Sequence, residues 1–205
     1  MKLFWRFIPL LIASTLSGQA NSAVVDFNSH PVDFSNPIVD SGFQFTFASA
    51  GWGVFGPDSG ACCNLNYNGT TSLFADGERG QKPATVVMTK VDGSLFAVSA
   101  LDAATYWNGA TGSMELIGSL VGGGTVSTTL SIDSNWSSFK LPTTFVGLTS
   151  LTFLDTSTDG FLSAPGFGVD NISTAAVPEP EAYALSIMGL LTVGALARRR
   201  RTASA

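Results

Sequence analysis

Between Val24 and Val177 no segment keeps a sustained 3.6-residue apolar period, and no other feature constrains the fold as strongly. Without that period a helix has no apolar stripe to bury, so the interior has to be assembled from strands. Phe43-Gln44-Phe45-Thr46-Phe47-Ala48 shows the alternative, aromatic residues alternating with small or polar ones at period two. The same span holds 19 Ser, 17 Thr and 19 Gly, a composition for short strands joined by many turns.

Further β-rich runs cover Thr85–Lys90, Ser94–Leu101, Met114–Leu120, Thr125–Ile132, Ser138–Leu141, Leu148–Asp155 and Phe167–Ile172. Asp92-Gly93 predicts a tight hairpin between the first two of these, and Gly122-Gly123-Gly124 an equally sharp turn before Thr125. Roughly eight or nine short strands at a spacing of about 8–12 residues predict an all-β antiparallel sandwich. In the last strand Phe167 and Val169 share a face and Ile172 breaks their parity. All three are buried together only if a bulge falls near Asp170-Asn171.

Charge separates the ends from the body. Six of the ten Lys and Arg are Lys2, Arg6 and Arg198, Arg199, Arg200 and Arg201, whereas Val24 to Val177 holds four against thirteen Asp and Glu. A body that acidic repels phosphate backbones, which excludes nucleic acid as a partner. His30 is the single histidine, so neither a His-based triad nor a multi-His metal site is available.

Residues 1–23 read as a signal peptide. Lys2 and Arg6 form a positive start, Phe7 to Leu16 an apolar stretch, and Ser17 to Ala23 a small and polar exit that suits signal peptidase between Ala20 and Ala23. Ten apolar residues are too few to span a bilayer, which needs about 20. At the other end Pro178-Glu179-Pro180 precedes sixteen uncharged residues, Ala182 to Ala197, and then the four arginines. These predict a short transmembrane helix over 182–197, with Pro178 and Pro180 blocking its extension upstream and the arginines retained in the cytoplasm. The body over 24–176 is then outside the inner membrane.

The trio over residues 177–205, Pro178-Glu179-Pro180, short apolar helix and Arg198 to Arg201, resembles the PEP-CTERM sorting signal of Gram-negative bacteria. The resemblance implies that an exosortase recognises and processes the tail, and that the protein passes from the inner membrane to the cell surface or extracellular matrix. By the same resemblance, proteins of this kind are associated with exopolysaccharide, biofilm or floc formation. A second resemblance lies in the body. The order Leu95 to Leu101, Phe139-Lys140-Leu141-Pro142, Leu151-Thr152-Phe153 and Phe167-Gly168-Val169-Asp170-Asn171-Ile172 is similar to the galactose-binding-like jelly roll of many carbohydrate-binding modules.

Related jelly rolls hold a structural calcium where the first and last strands adjoin. Here the resemblance implies Asp26 and Asp170 as its carboxylates, with carbonyls freed by the bulge completing an oxygen cage. Tyr106 and Trp107, followed by Asn108-Gly109, lie where a rim loop would place them to stack on sugar rings, or else in the core. Tyr67, Trp52 and Trp136 are the other rings able to stack on sugars, with Trp52 and Trp136 expected rather in the core. Cys62 and Cys63 leave three states open: a strained vicinal disulfide, an intermolecular bridge or two free thiols. No nucleophile elbow or phosphate loop is present. The expectation is an exported, non-enzymatic surface or matrix protein. A carbohydrate-binding module is the alternative, and a glycoside hydrolase is further off.

Overall fold

The computed structural model describes residues 22–30, 32–49, 53–56, 66–77, 83–157, 166–177 and 187–194. Two compact units divide the chain: Asn21–Val177, and Met1–Ala20 together with Pro178–Ala205. In the second, residues 187–194 of the helix expected over 182–197 are helical and exposed. Among the described residues no helix is long and apolar enough to cross a membrane. Most of the signal peptide, Pro178, Glu179, Pro180 and Arg198 to Arg201 lie outside the described residues, as do Trp52, Cys62 and Cys63.

The larger unit is all-β, and every strand pair in it is antiparallel. Strands are numbered in chain order. One sheet runs β10 (Thr125–Asp133), β9 (Thr111–Leu120), β12 (Val146–Asp155), β7 (Thr85–Lys90), β4 (Phe43–Ser49) and β3 (Ile38–Asp40). The other runs β11 (Ser137–Lys140), β8 (Phe96–Thr105), β13 (Phe167–Ala176), β6 (Ser72–Ala75), β5 (Val54–Phe55) and β2 (Val32–Asp33). β1 (Ser22–Val25) shares the flank of β13 with β6, taking its C-terminal half. The sheets join where Val146 and Leu148 of β12 pair with β8 before the strand turns onto β9 across a bulge.

The core lies between the sheets. Phe43, Phe45 and Phe47 of β4 face inward and are buried, while Gln44 and Thr46 between them are half-buried, as period two requires. Rings meet across the layers: Phe43 and Phe96 at 5.3 Å, and Phe153 and Phe167 at 6.3 Å. The bulge in β13 is present. Asp170 pairs with Asp102 and Ser173 with Ala100, so the strand gains a residue, and Asn171 takes it up at φ 48°. Phe167, Val169 and Ile172 are consequently all fully buried.

One expectation is corrected. Asp92-Gly93 is a turn but not a hairpin, because β7 and β8 belong to different sheets. A two-residue type I′ hairpin needs positive φ at both central residues. Here only Gly93 has it, at 72°, and Asp92 instead accepts hydrogen bonds from Ser94 N–H at 2.9 Å and Ser94 O–H at 2.8 Å. The chain arches across the sandwich and delivers Phe96 onto Phe43. Gly122-Gly123-Gly124, all at positive φ, does close a hairpin between β9 and β10.

Two glycines mark how tightly the layers are built. A Cβ at Gly166 would collide with the backbone carbonyl of Ala75, whereas one at Gly118 would meet the Leu148 Cδ2 methyl at 2.7 Å. A methyl tip can swing away and a paired carbonyl cannot. Gly118→Ala is expected to cost about 1 kcal/mol and Gly166→Ala at least ~3 kcal/mol, the two ends of the overpacking range. Urea midpoints of the two variants check the order.

Candidate functional site

β6 is buried on both faces, which a strand flanking an exposed surface would not be. Leu73 and Ala75 enter the main core, while Ser72 and Phe74 point to the outer side of the second sheet. That side is covered by a second cluster. Phe74 is its centre, meeting Tyr67 at 5.8 Å, Tyr106 at 5.8 Å, Phe55 at 6.1 Å and Trp136 at 6.1 Å, mostly edge to face. Gly168 of β13 makes the approach possible, since a Cβ there would lie 2.8 Å from Phe74 and 2.9 Å from Trp136.

Hydrogen bonds lock the rings. Trp136 Nε1–H donates to Asn66 O at 2.8 Å, and Asn66 N–H donates to Tyr106 O at 3.2 Å. Burial pushes the Tyr106 phenol up from its ordinary pKa, with the Asp76 charge adding to the effect. Trp107 packs on Tyr106 at 4.8 Å and stays half-buried, next to exposed Asn108 and Gly109. Tyr67 and Trp136 are half-buried too, so three rings reach the surface around a sealed centre.

Beside the rings lies a polar network. The Asp170 carboxylate is fully buried. Thr70 N–H donates to Asn68 Oδ1 at 2.9 Å, which fixes the amide's orientation and leaves Asn68 Nδ2–H donating to Asp170 Oδ2 at 2.7 Å. Thr70 O–H lies 2.9 Å from the same oxygen, Ser72 O–H 3.4 Å, and Asn171 N–H donates to Oδ1 at 2.8 Å. Across the bulge Asp102 accepts from Asn171 Nδ2–H at 2.8 Å and from Ser138 O–H. Burial raises the Asp170 carboxyl above the usual range against the hydrogen bonds from Asn68, Thr70 and Asn171, and the Asp102 charge adds to the rise.

The sequence-predicted residues fall unevenly on this site. Trp107 is at its surface, while Tyr106 is only 2% exposed and can carry a ring without itself touching a ligand. Trp136, expected in the main core, belongs to the outer cluster. Asp170 is inside the site, flanked by β8 and β6 rather than at an edge. Asp26 is half-buried and accepts from Asn28 N–H at 3.2 Å. Amide, hydroxyl and backbone N–H groups of Asn68, Thr70, Ser72 and Asn171 meet the Asp170 carboxylate. Among the described residues no group of three His, Cys, Asp or Glu side chains is placed to hold a metal. Tyr67 was among the rings the sequence offered for stacking on sugars, whereas Phe74, Asn68 and Thr70 were missed from sequence. The unbroken run Ser72-Leu73-Phe74-Ala75, with no alternation, was the available sign of a strand covered on both faces.

The class defined so far is an antiparallel β-sandwich with a second, aromatic core on one outer face. No protein-family model matches the chain, and no curated protein matches it. Among solved structures it is similar to a family 29 carbohydrate-binding module from Piromyces equi, at 10% identity over 78% of this chain and 92% of that one, TM-score 0.49. It is also similar to the CBM22-1 xylan-binding domain from Paenibacillus barcinonensis Xyn10C, at 12% identity, 78% and 97% coverage and TM-score 0.43. A third is the family 11 carbohydrate-binding module from Clostridium thermocellum in complex with a β-1,3-1,4-mixed-linked tetrasaccharide, at 12% identity, 77% and 97% coverage and TM-score 0.42.

Asp170 sets a pH dependence whose sign follows from burial. Its folded-state pKa lies above the unfolded one, so the folded protein binds the proton more tightly. That contribution to stability is full below the unfolded value, about 3.9, and is lost as pH rises through the raised folded value. Asp155, also raised by burial, acts with the same sign. Asp170→Asn removes the first contribution and sets Nδ2 against the Asn68 Nδ2 donor. It is expected to cost about 2 kcal/mol at neutral pH and to flatten the decline of stability above pH ~4. Denaturant midpoints across pH measure both.

Proposed function

We propose that this chain is an exported, non-enzymatic surface protein that holds extracellular polysaccharide on the outer face of its second sheet. The observation that carries the proposal is the gathering of half-exposed Tyr67, Trp107 and Trp136 around buried Phe74. Sugars present apolar C–H faces to aromatic rings and hydroxyls to amides, and exposed Asn108 stands beside Trp107. Rings already clamped by Phe74, Tyr106 and the Trp136 hydrogen bond lose little freedom when a ligand arrives. Hydrolysis is not supported by the nearest carboxylate pair. Asp102 and Asp170 are both engaged by amides or hydroxyls, and Asp170 is sealed from any substrate.

The route belongs to the same proposal. Signal peptidase releases the N-terminus, the inner membrane holds the precursor, and an exosortase processes the tail at Pro178-Glu179-Pro180 before Arg198 to Arg201. Of the cleavage positions between Ala20 and Ala23, a cut after Ala20 leaves β1 whole. Ser22 and Ala23 pair with Ala175 and Thr174, and Thr174 O–H donates to Ala23 O at 3.0 Å. N-terminal sequencing of the exported protein is therefore expected to read Asn21 first, and a start at Val24 would contradict it.

Affinity electrophoresis in gels containing exopolysaccharide from the producing cells, with β-glucan and xylan gels alongside, tests the binding. The exported protein is expected to be retarded, and Trp107→Ala to weaken Kd about tenfold, equivalent to ~1.4 kcal/mol. Its melting temperature should hardly move, because the ring is only half-buried. Equal mobility of the wild-type protein in every gel overturns the proposal.

A further inference from the structure

β10 is an edge strand unlike the other edges of this sandwich. It runs nine residues in unbroken register with β9, from Thr125 opposite Ser119 to Asp133 opposite Thr111. Among the described residues β9 is its only pairing partner, and no backbone hydrogen bond from another element reaches its free side. Edges are ordinarily blunted by shortness, by proline, by charge or by a bulge. The remaining edges here are blunted. β3 has three residues, follows Pro37, and has His30 Nε2 at 3.0 Å from Val39 O. β2 has two residues including Asp33, β11 has four including Lys140, and β1, paired with β13 alone among the described residues, has only four. β10 has none of these devices: no proline, no bulge and no charge from Thr125 through Ile132.

We propose that β10 pairs antiparallel with β10 of a second copy of this chain, joining two sandwiches through one continuous sheet. The composition of the strand is self-complementary about Thr129. In that register Thr129 faces its own counterpart, Ser127 faces Ser131 of the second copy, and Thr125 faces Asp133 of the second copy. These five side chains are the exposed ones of the strand, so hydroxyl meets hydroxyl at the three central pairs and carboxylate at the two end pairs. On the other face Val126 meets Ile132 and Thr128 meets Leu130, which carries the apolar row of the core across the junction.

Charge selects the same contact. Four basic against thirteen acidic residues between Val24 and Val177 make two copies repel over most of their surface. They can approach where the surface is neutral, and β10 supplies a neutral stretch. Its one carboxylate, Asp133, meets a threonine, and the two Asp133 side chains sit about 27 Å apart at ~3.4 Å per residue, well beyond the screening length of ~8 Å.

Sedimentation and cysteine trapping of the exported protein test this pairing. The wild-type protein is expected to sediment at twice the chain mass at high concentration. Ser127→Lys with Ser131→Lys places lysines opposite each other and should halve that mass. Both positions are exposed, so the far-ultraviolet spectrum and melting curve of the variant should stay those of a folded sandwich. Under mild oxidation Thr129→Cys should give a covalent dimer linked 129 to 129, while Thr125→Cys, which does not face itself, should give no link at 125. A monomeric wild type, a dimer that survives the lysine pair in a folded variant, or equal trapping at 125 and 129 overturns the proposal.

Discussion

The buried carboxylate of Asp170 is the point where the local and the distant parts of this fold meet. It stands at the β13 bulge, and its acceptor positions draw in Asn68, Thr70 and Ser72 from about a hundred residues earlier in the chain. A carboxylate sealed from water is costly unless donors surround it, so the segment before β6 has to lie across the outer face. Once that segment is in place, Tyr67 is beside Phe74, and Asn66 O is positioned to receive the Trp136 N–H. The aromatic cluster and the polar network are therefore one construction. Removing the donors would loosen the rings as well.

The sandwich has two apolar assemblies with different tasks. Between the sheets, Phe43, Phe96, Phe153 and Phe167 fill a sealed core that holds the layers together. On the outer face, Phe74 and Tyr106 form a floor on which Tyr67, Trp107 and Trp136 are presented half-exposed. Ordinary strands bury one face only, and β6 buries both. A second core costs the protein some solvent-facing polar surface, and it holds the surface rings at fixed positions. That rigidity is what the proposed polysaccharide site draws on. The body is otherwise acidic, four basic against thirteen acidic residues, with neutral stretches such as Thr125 through Ile132 of β10.

Much of the architecture was legible in the sequence because it depends on periods. Alternation over Phe43–Ala48 and the β-rich runs marked strands whose bounds differ from the observed ones by a few residues at most. The broken parity of Phe167, Val169 and Ile172 located the bulge, since a side chain's face is a matter of counting by two. The aspartate next to it was singled out, but the amide and hydroxyl groups that meet it come from about a hundred residues earlier and carried no sign in the sequence. Asp92-Gly93 was read as a hairpin because the dipeptide is a strong local signal. The backbone at Asp92 did not take positive φ, and the arch went to the other sheet.

By itself the sequence determined the all-β class and eight of the thirteen described strands, the separation of acidic body from basic ends, and the need for a kink in β13. These follow from side-chain period and charge, which are local quantities. The short strands β1, β2, β3, β5 and β6 were not read from the sequence. Only the tertiary structure decided which sheet each strand joined, that Phe74 and Ser72 would be covered, and that Asp170 would find its donors around Asn68. Those outcomes turn on contacts between residues as far as 151 positions apart, where no period in the chain records the partner. Burial of an outer face depends on which loop folds over it, and that is settled by packing and hydrogen-bond satisfaction in three dimensions.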